Sequence, residues 1–197
     1  MTTLNKLFFL IITILLFTSC RKTRGCTDSE ALNYNPDAAK EDHSCYYYWV
    51  GQNIEGGKVF YIDQTKKHGL VASENDLALT QWGNVGSLVS GADGTIVGTG
   101  YQNTIDIVNS FSVVTAASLC NDLDTLGHSD WYLPSIEEMK GLANAFGPLG
   151  QGNFGSGYYW TSTEADSSTA WLLMGTNNAL VTLGKTAAYS VRAIRSF

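Results

Sequence analysis

The sequence predicts an α+β fold, with helices and an antiparallel sheet in separate stretches of chain. Three observations predict it. Helical periodicity occurs twice in succession, within Val113–Leu126 and over Ile136–Phe146. Four short β patterns follow between Tyr158 and Arg195, and a hairpin pattern over Lys58–Ser73 precedes them. Grouping of this kind differs from the alternating order of a parallel βαβ sheet. The expectation is two helices packed on antiparallel sheets in a domain spanning residues 50–197, with shorter segments before it.

The chain begins with a different chemistry. Lys6 supplies a positive charge, and Leu7 to Phe17 is apolar except for Thr13, the length of a signal-peptide core and too short to span a bilayer. Residues 1–19 are therefore expected to be a signal peptide. Phe17-Thr18-Ser19-Cys20 resembles the bacterial lipobox, which implies acylation of Cys20 and attachment to a membrane by a lipid anchor. Arg21 follows, without the acidic residue that retains some lipoproteins in the inner membrane. The expected location is the outer membrane, with the periplasmic and surface faces both open.

Residues 20–49 then form a short cysteine-bounded module. Export places the chain in an oxidising compartment, where Cys26 and Cys45 most simply pair, and closing a loop of this length contributes about 3 kcal/mol. The module is too small for a core and needs that staple. Asp28, Asn33, Asn35, Asp37 and Asp42 carry oxygens of the Ca²⁺-binding kind, but their spacing is not that of an EF-hand loop. The same residues are ordinary turn formers, and His43 has no second histidine near it, so no metal and no cofactor is expected.

In the main domain, Lys58–Asp63 and Leu70–Ser73 read as a hairpin turned at Lys67-His68-Gly69. Ser90 to Gly100 reads as a long glycine-rich covering loop. A dinucleotide fingerprint starting at Gly98 would need glycine where Asn103 stands. Val113, Ala116, Ala117, Cys120 and Leu123 share one helical face, and Gly127 is placed as that helix's C-cap. Asp130 to Leu133 is extended, because the residue before Pro134 is pushed out of the helical region. Ser135 and Glu138 form an S-x-x-E capping box, and Ile136, Met139, Ala143 and Phe146 are the buried face that follows. Strands are expected at Tyr158–Thr163, Ala170–Met174, Ala179–Leu183 and Tyr189–Arg195, with Asn177-Asn178 as a turn. Cys120, on an apolar face, reads as a buried free thiol.

Composition excludes some functions. A net charge of −6, with 12 basic residues scattered along the chain, gives no footprint for nucleic acid. Gly184-Lys185-Thr186 lacks the first glycine of a phosphate loop, Ala179 standing there. No serine lies on a G-x-S-x-G elbow, and Glu137 and Glu138 diverge on a helix, so neither nucleophilic nor paired-carboxylate catalysis has a pattern. Trp131, Trp160 and Trp171 suit either a core or a stacking surface. Trp160, Glu164 and Trp171 are taken as the candidate ligand face, and Arg192 as a partner for Asp130 or Glu164.

Two resemblances add to this. Gly25-Cys26-Thr27-Asp28, Ala31 to Pro36 and Ser44-Cys45 resemble a GCTD…ALNYNP…GSC repeat of secreted proteins of the Bacteroidetes type, with His43 where glycine is usual. Gly57-x-Val59-Phe60-Tyr61, His68 to Ala72, Ser90 to Thr95, Gly127-x-Ser129-Asp130-Trp131-x-Leu133-Pro134-Ser135, Tyr159 to Thr163 and Val191 to Arg195 stand in one order that resembles the Fibrobacter major-paralogue domain and the Lcl C-terminal domain. That resemblance implies a C-type-lectin-like fold in an exported protein. Relatives often carry a second cysteine in this domain, whereas here Cys120 is alone. Calcium-dependent sugar sites of that fold use a proline in the late loop, and none follows Pro148. The expected function is a non-catalytic binding or adhesion domain for a protein or glycan. The alternatives are a structural envelope component and an enzyme of the formylglycine-generating branch, which would want cysteines beyond Cys120.

Overall fold

The computed structural model describes residues 22–147 and 154–197. The expected signal peptide and Cys20 lie outside the described residues. The architecture is mixed helix and sheet, with mostly antiparallel strands. A parallel two-residue pair, β1 (Arg24–Gly25) and β2 (Lys40–Glu41), sits in the cysteine module. A four-stranded sheet has the order β3 (Asn53–Ile54), β4 (Gly57–Ile62), β5 (Gly69–Ser73), β9 (Ile194–Ser196). A three-stranded sheet holds β6 (Tyr158–Glu164), β7 (Thr169–Met174) and β8 (Ala179–Gly184). Between β5 and β6 run α1 (Gly100–Ser110), α2 (Ala116–Asn121) and α3 (Ile136–Phe146).

The first sheet is the middle of the core. β5 is buried at all five positions, and Phe60 is an extra residue where the β4–β5 register shifts between Val59 and Tyr61. Val59 and Val71 join Trp82, Trp131, Trp160 and Ile107 in one apolar cluster. Phe60, Leu70 and Ala72 join Met139, Leu142 and Phe146 of α3 in another. The expected capping reach is present at the start of α3: the Ser135 backbone N–H donates to Glu138 Oε2 at 2.7 Å.

Four expectations are corrected. Among the described residues three helices form, because α1 starts at Gly100 where a covering loop was expected to end. Its buried face is Gly100, Asn103, Thr104 and Ile107, a helical spacing filled mostly by polar residues, so hydrophobic periodicity does not reveal it. The first expected helix is shorter. α2 is capped by Thr115, whose Oγ1 accepts the Ser118 N–H at 3.1 Å, and it ends before Asp122. Gly127 is consequently no helix cap. With φ of 55° and 81°, Leu126 and Gly127 form the tip of a tight turn closed by Thr125 and His128. The last strand pairs with β5 of the first sheet rather than extending β6–β8.

The Cys26–Cys45 disulfide is formed, and Cys120 is a buried free thiol whose ionisation burial pushes well up. Among the described residues, no helix is long and apolar enough to cross a membrane.

Candidate functional site

The expected face of Trp160, Glu164 and Trp171 does not assemble. Trp160 has no exposed surface: its Nε1 donates to the Thr80 carbonyl at 2.9 Å, and its ring meets Tyr189 edge-on. Trp131 is buried as well. Trp160 pairs with Leu172 across the ladder, so Trp171 points to the other side of the sheet, where it is half-buried. Neighbouring residues of one strand cannot share a face, and the sequence reading had not fixed this register.

Glu164 belongs to a buried structural cluster. Its carboxylate pairs with Lys185 Nζ and also accepts the Val89 N–H at 3.0 Å. Lys185 donates to the Ser87 carbonyl at 3.3 Å and lies 4.9 Å from the centre of the Trp82 ring. Both charges are thus matched, and they hold the 85–92 loop to β6. The pairing is opened by an irregularity in β6, which leaves the β7 ladder between Trp160 and Glu164. Residues at this break bind the covering loop: Thr163 Oγ1 donates to the Gly94 carbonyl at 2.8 Å, and the Glu164 N–H donates to the Ala92 carbonyl at 2.7 Å.

Arg192 and Arg195 form two further ion-pair groups. Arg192 pairs with Asp76, its Nε 2.6 Å from Oδ1, and not with Asp130 or Glu164. Tyr159 donates to the second Asp76 oxygen at 2.8 Å, and burial, with Asp76 beside it, pushes the phenol up to about 12. Asp130 instead takes Arg195, with Nε at 2.7 Å, while Arg195 NH1 reaches Glu55 at 2.6 Å. Burial alone would raise the Asp130 carboxyl, but the hydrogen bond and charge of Arg195 outweigh it and hold it below the usual range.

Glu55 leads to a concave feature of the surface. A cleft of about 450 Å³ is lined by Asn53 to Lys58, Glu74, Thr125 and Leu126. Two tight turns build it. Glu55 and Gly56, at φ 48° and 82°, turn β3 into β4, and Leu126-Gly127 turns beside them. A Cβ on Gly56 would lie 3.0 Å from Thr125 Cγ2, so the turn tips touch. The lining mixes carboxylates (Glu55, Glu74), an ammonium (Lys58), an amide and a hydroxyl with the apolar Ile54 and Leu126. It offers hydrogen bonds and one apolar wall to a small polar ligand. None of these residues was singled out as a ligand contact from sequence. The available signal was two X-Gly pairs in separate segments, and nothing in one dimension joins them.

The oxygens of the cysteine module are consumed in turns. Glu41 accepts the Thr27 N–H and hydroxyl, both at 2.8 Å, and the His43 N–H at 2.7 Å, which together hold its pKa down at about 2. Asp28 pairs with Tyr47 and accepts the Glu30 N–H, Asn35 accepts from Asp37, and Asp42 from Ser44. Glu41 also lies beside Cys26 and Cys45, but their sulfurs are joined and are not thiolate ligands.

A family model described as the Lcl C-terminal domain matches residues 24–195, a span that includes the cysteine module. No curated protein matches the chain. The chain belongs to the Lcl C-terminal domain family.

Proposed function

We propose that this member of the Lcl C-terminal domain family is a lipid-anchored cell-envelope protein whose globular part is a non-catalytic binding domain for a protein or glycan. The address rests on the sequence: an apolar run from Leu7 to Phe17 ends three residues before Cys20, as a lipobox requires. The binding role rests on the cleft between the 55–56 and 125–127 turns, a concave surface where hydrogen-bonding side chains converge. A C-type-lectin-like ancestry, kinship with the Fibrobacter paralogues and a Bacteroidetes-type repeat over Cys26–Cys45 belong to the same reading. Outer-membrane residence follows from Arg21.

Binding of the ectodomain, Arg21 to Phe197, to arrays of glycans and cell-wall fragments tests it. Saturable binding that weakens in Asn53→Ala and Lys58→Ala supports the cleft. Saturable binding to nothing favours a structural envelope component. Incorporation of labelled palmitate, lost in Cys20→Ser, tests the anchor independently of the ligand.

A further inference from the structure

The edges of the two main-domain sheets are not equally protected. In the four-stranded sheet β3 is only two residues long, and β9 is covered where Tyr132 and Ile194 exchange backbone bonds of 2.8 and 3.0 Å. In the three-stranded sheet the β6 edge is covered by Ser190, bonded to Tyr158 and Trp160 at 3.0 Å each. β8 has β7 on one side and no strand on the other among the described residues.

Which groups face that open side follows from one bond. In the pairing of Gly184 with Thr169, the Lys185 N–H donates to the Ser168 carbonyl at 3.0 Å. Odd-numbered residues of β8 therefore bond to β7, and Leu180, Thr182 and Gly184 direct their N–H and C=O groups outward. Among the described residues the edge is also unguarded. β8 keeps register with β7 through six consecutive pairs without a bulge and holds no proline and no charge. Natural edge strands are commonly guarded by lysine, proline, a bulge or a covering segment. From Gly175 to Val191 the single charged residue is Lys185, which is buried and neutralised by Glu164.

We propose that β8 is a self-association edge at which two copies of this chain pair antiparallel, joining two three-stranded sheets into one of six. The occupant follows from symmetry. A two-fold contact sets each residue against the same short stretch, so any charge would meet its like. This edge has none, although each chain carries a net −6. Only even-numbered residues have outward groups, so they pair with one another; a two-fold axis at Thr182, the middle of that set, gives the longest ladder and sets Leu180 across from the copy's Gly184. Thr182 is exposed, and threonines opposed across strands hydrogen-bond to one another.

Cysteine cross-linking of the full-length chain in intact cells tests the register. Opposed Cα atoms in a hydrogen-bonded pair are about 5.5 Å apart, inside the disulfide range of about 4.4–6.8 Å. Thr182→Cys is expected to give a band at twice the mass on a non-reducing gel. Gln64→Cys, exposed on the turn of the other sheet, is expected to give none. Thr182→Pro removes an outward N–H while leaving the β7 ladder intact, so the purified full-length chain should lose its dimer while keeping the wild-type circular dichroism spectrum. Absence of the Thr182→Cys band, or equal bands from both cysteine variants, overturns the proposal. So does a wild-type chain that stays monomeric at every concentration, in which case an extended peptide is the better partner for the edge.

Discussion

Among its described residues the cysteine module buries Cys26 and Ala31 and no other apolar side chain in full, whereas the domain after it buries Trp82, Trp131 and Trp160 together with two apolar clusters. In the module, order comes from one covalent link and from side chains bonded to nearby backbone: Glu41 to Thr27 and His43, Asn33 to Ser44 and Tyr46. In the domain, order comes from desolvation, and some of its charges are buried, with Lys185 and Glu164 matched inside the fold. The difference teaches that one family span can hold two stability regimes. The module should respond to reductant and acid, and the domain to lost packing and unmatched charge.

The largest effect is expected from breaking the buried pair. Glu164→Ala leaves Lys185 charged, buried and unmatched, and should cost about 3–5 kcal/mol in a denaturant titration. Replacing both by apolar residues, Glu164→Leu with Lys185→Met, should recover most of that loss. Failure to recover would mean that the pair's bonds to the 85–92 loop matter more than its charge balance.

Cys26→Ser comes next, at about 3 kcal/mol for a loop of this length. Hydrogen exchange should show the loss confined to residues 23–46. A fall in protection of α3 as well would break the contrast between the two regions.

Acid should separate them without mutation. Glu41 has a folded-state pKa of about 2 against an ordinary 4.5, so its stabilising bonds are fully present above 4.5 and are lost as pH falls toward 2. The amides of Thr27 and His43 should lose exchange protection in that window, and Glu41→Gln should remove the dependence. The smallest effect belongs to the exposed Lys140–Glu137 pair on α3, where Lys140→Ala should cost no more than about 0.5 kcal/mol in the same titration.

Much of this was legible in the sequence where the cause is local. The capping box at Ser135 and Glu138, the apolar face of α3, the 58–73 hairpin and the Cys26–Cys45 pair each depend on residues close in the chain. α1 was not legible, because Asn103 and Thr104 occupy its buried face. Asn103 is placed there by bonds to Gly94 and Ser162, partners 9 and 59 residues away. The face expected of Trp160, Glu164 and Trp171 does not form, because the register that separates Trp160 from Trp171 is set between strands. Arg192 was read as a buried structural ion pair, but its partner, Asp76, lies 116 residues away and was not named.

By itself the sequence determined the mixed helix and sheet content, the disulfide, the start of α3 and the family, since each rests on short-range pattern or on order along the chain. Only the tertiary structure decided which charges meet, where the cleft lies and which sheet edge stays open. Those depend on loop closure between distant segments, and a one-dimensional pattern carries no record of which closures the core selects.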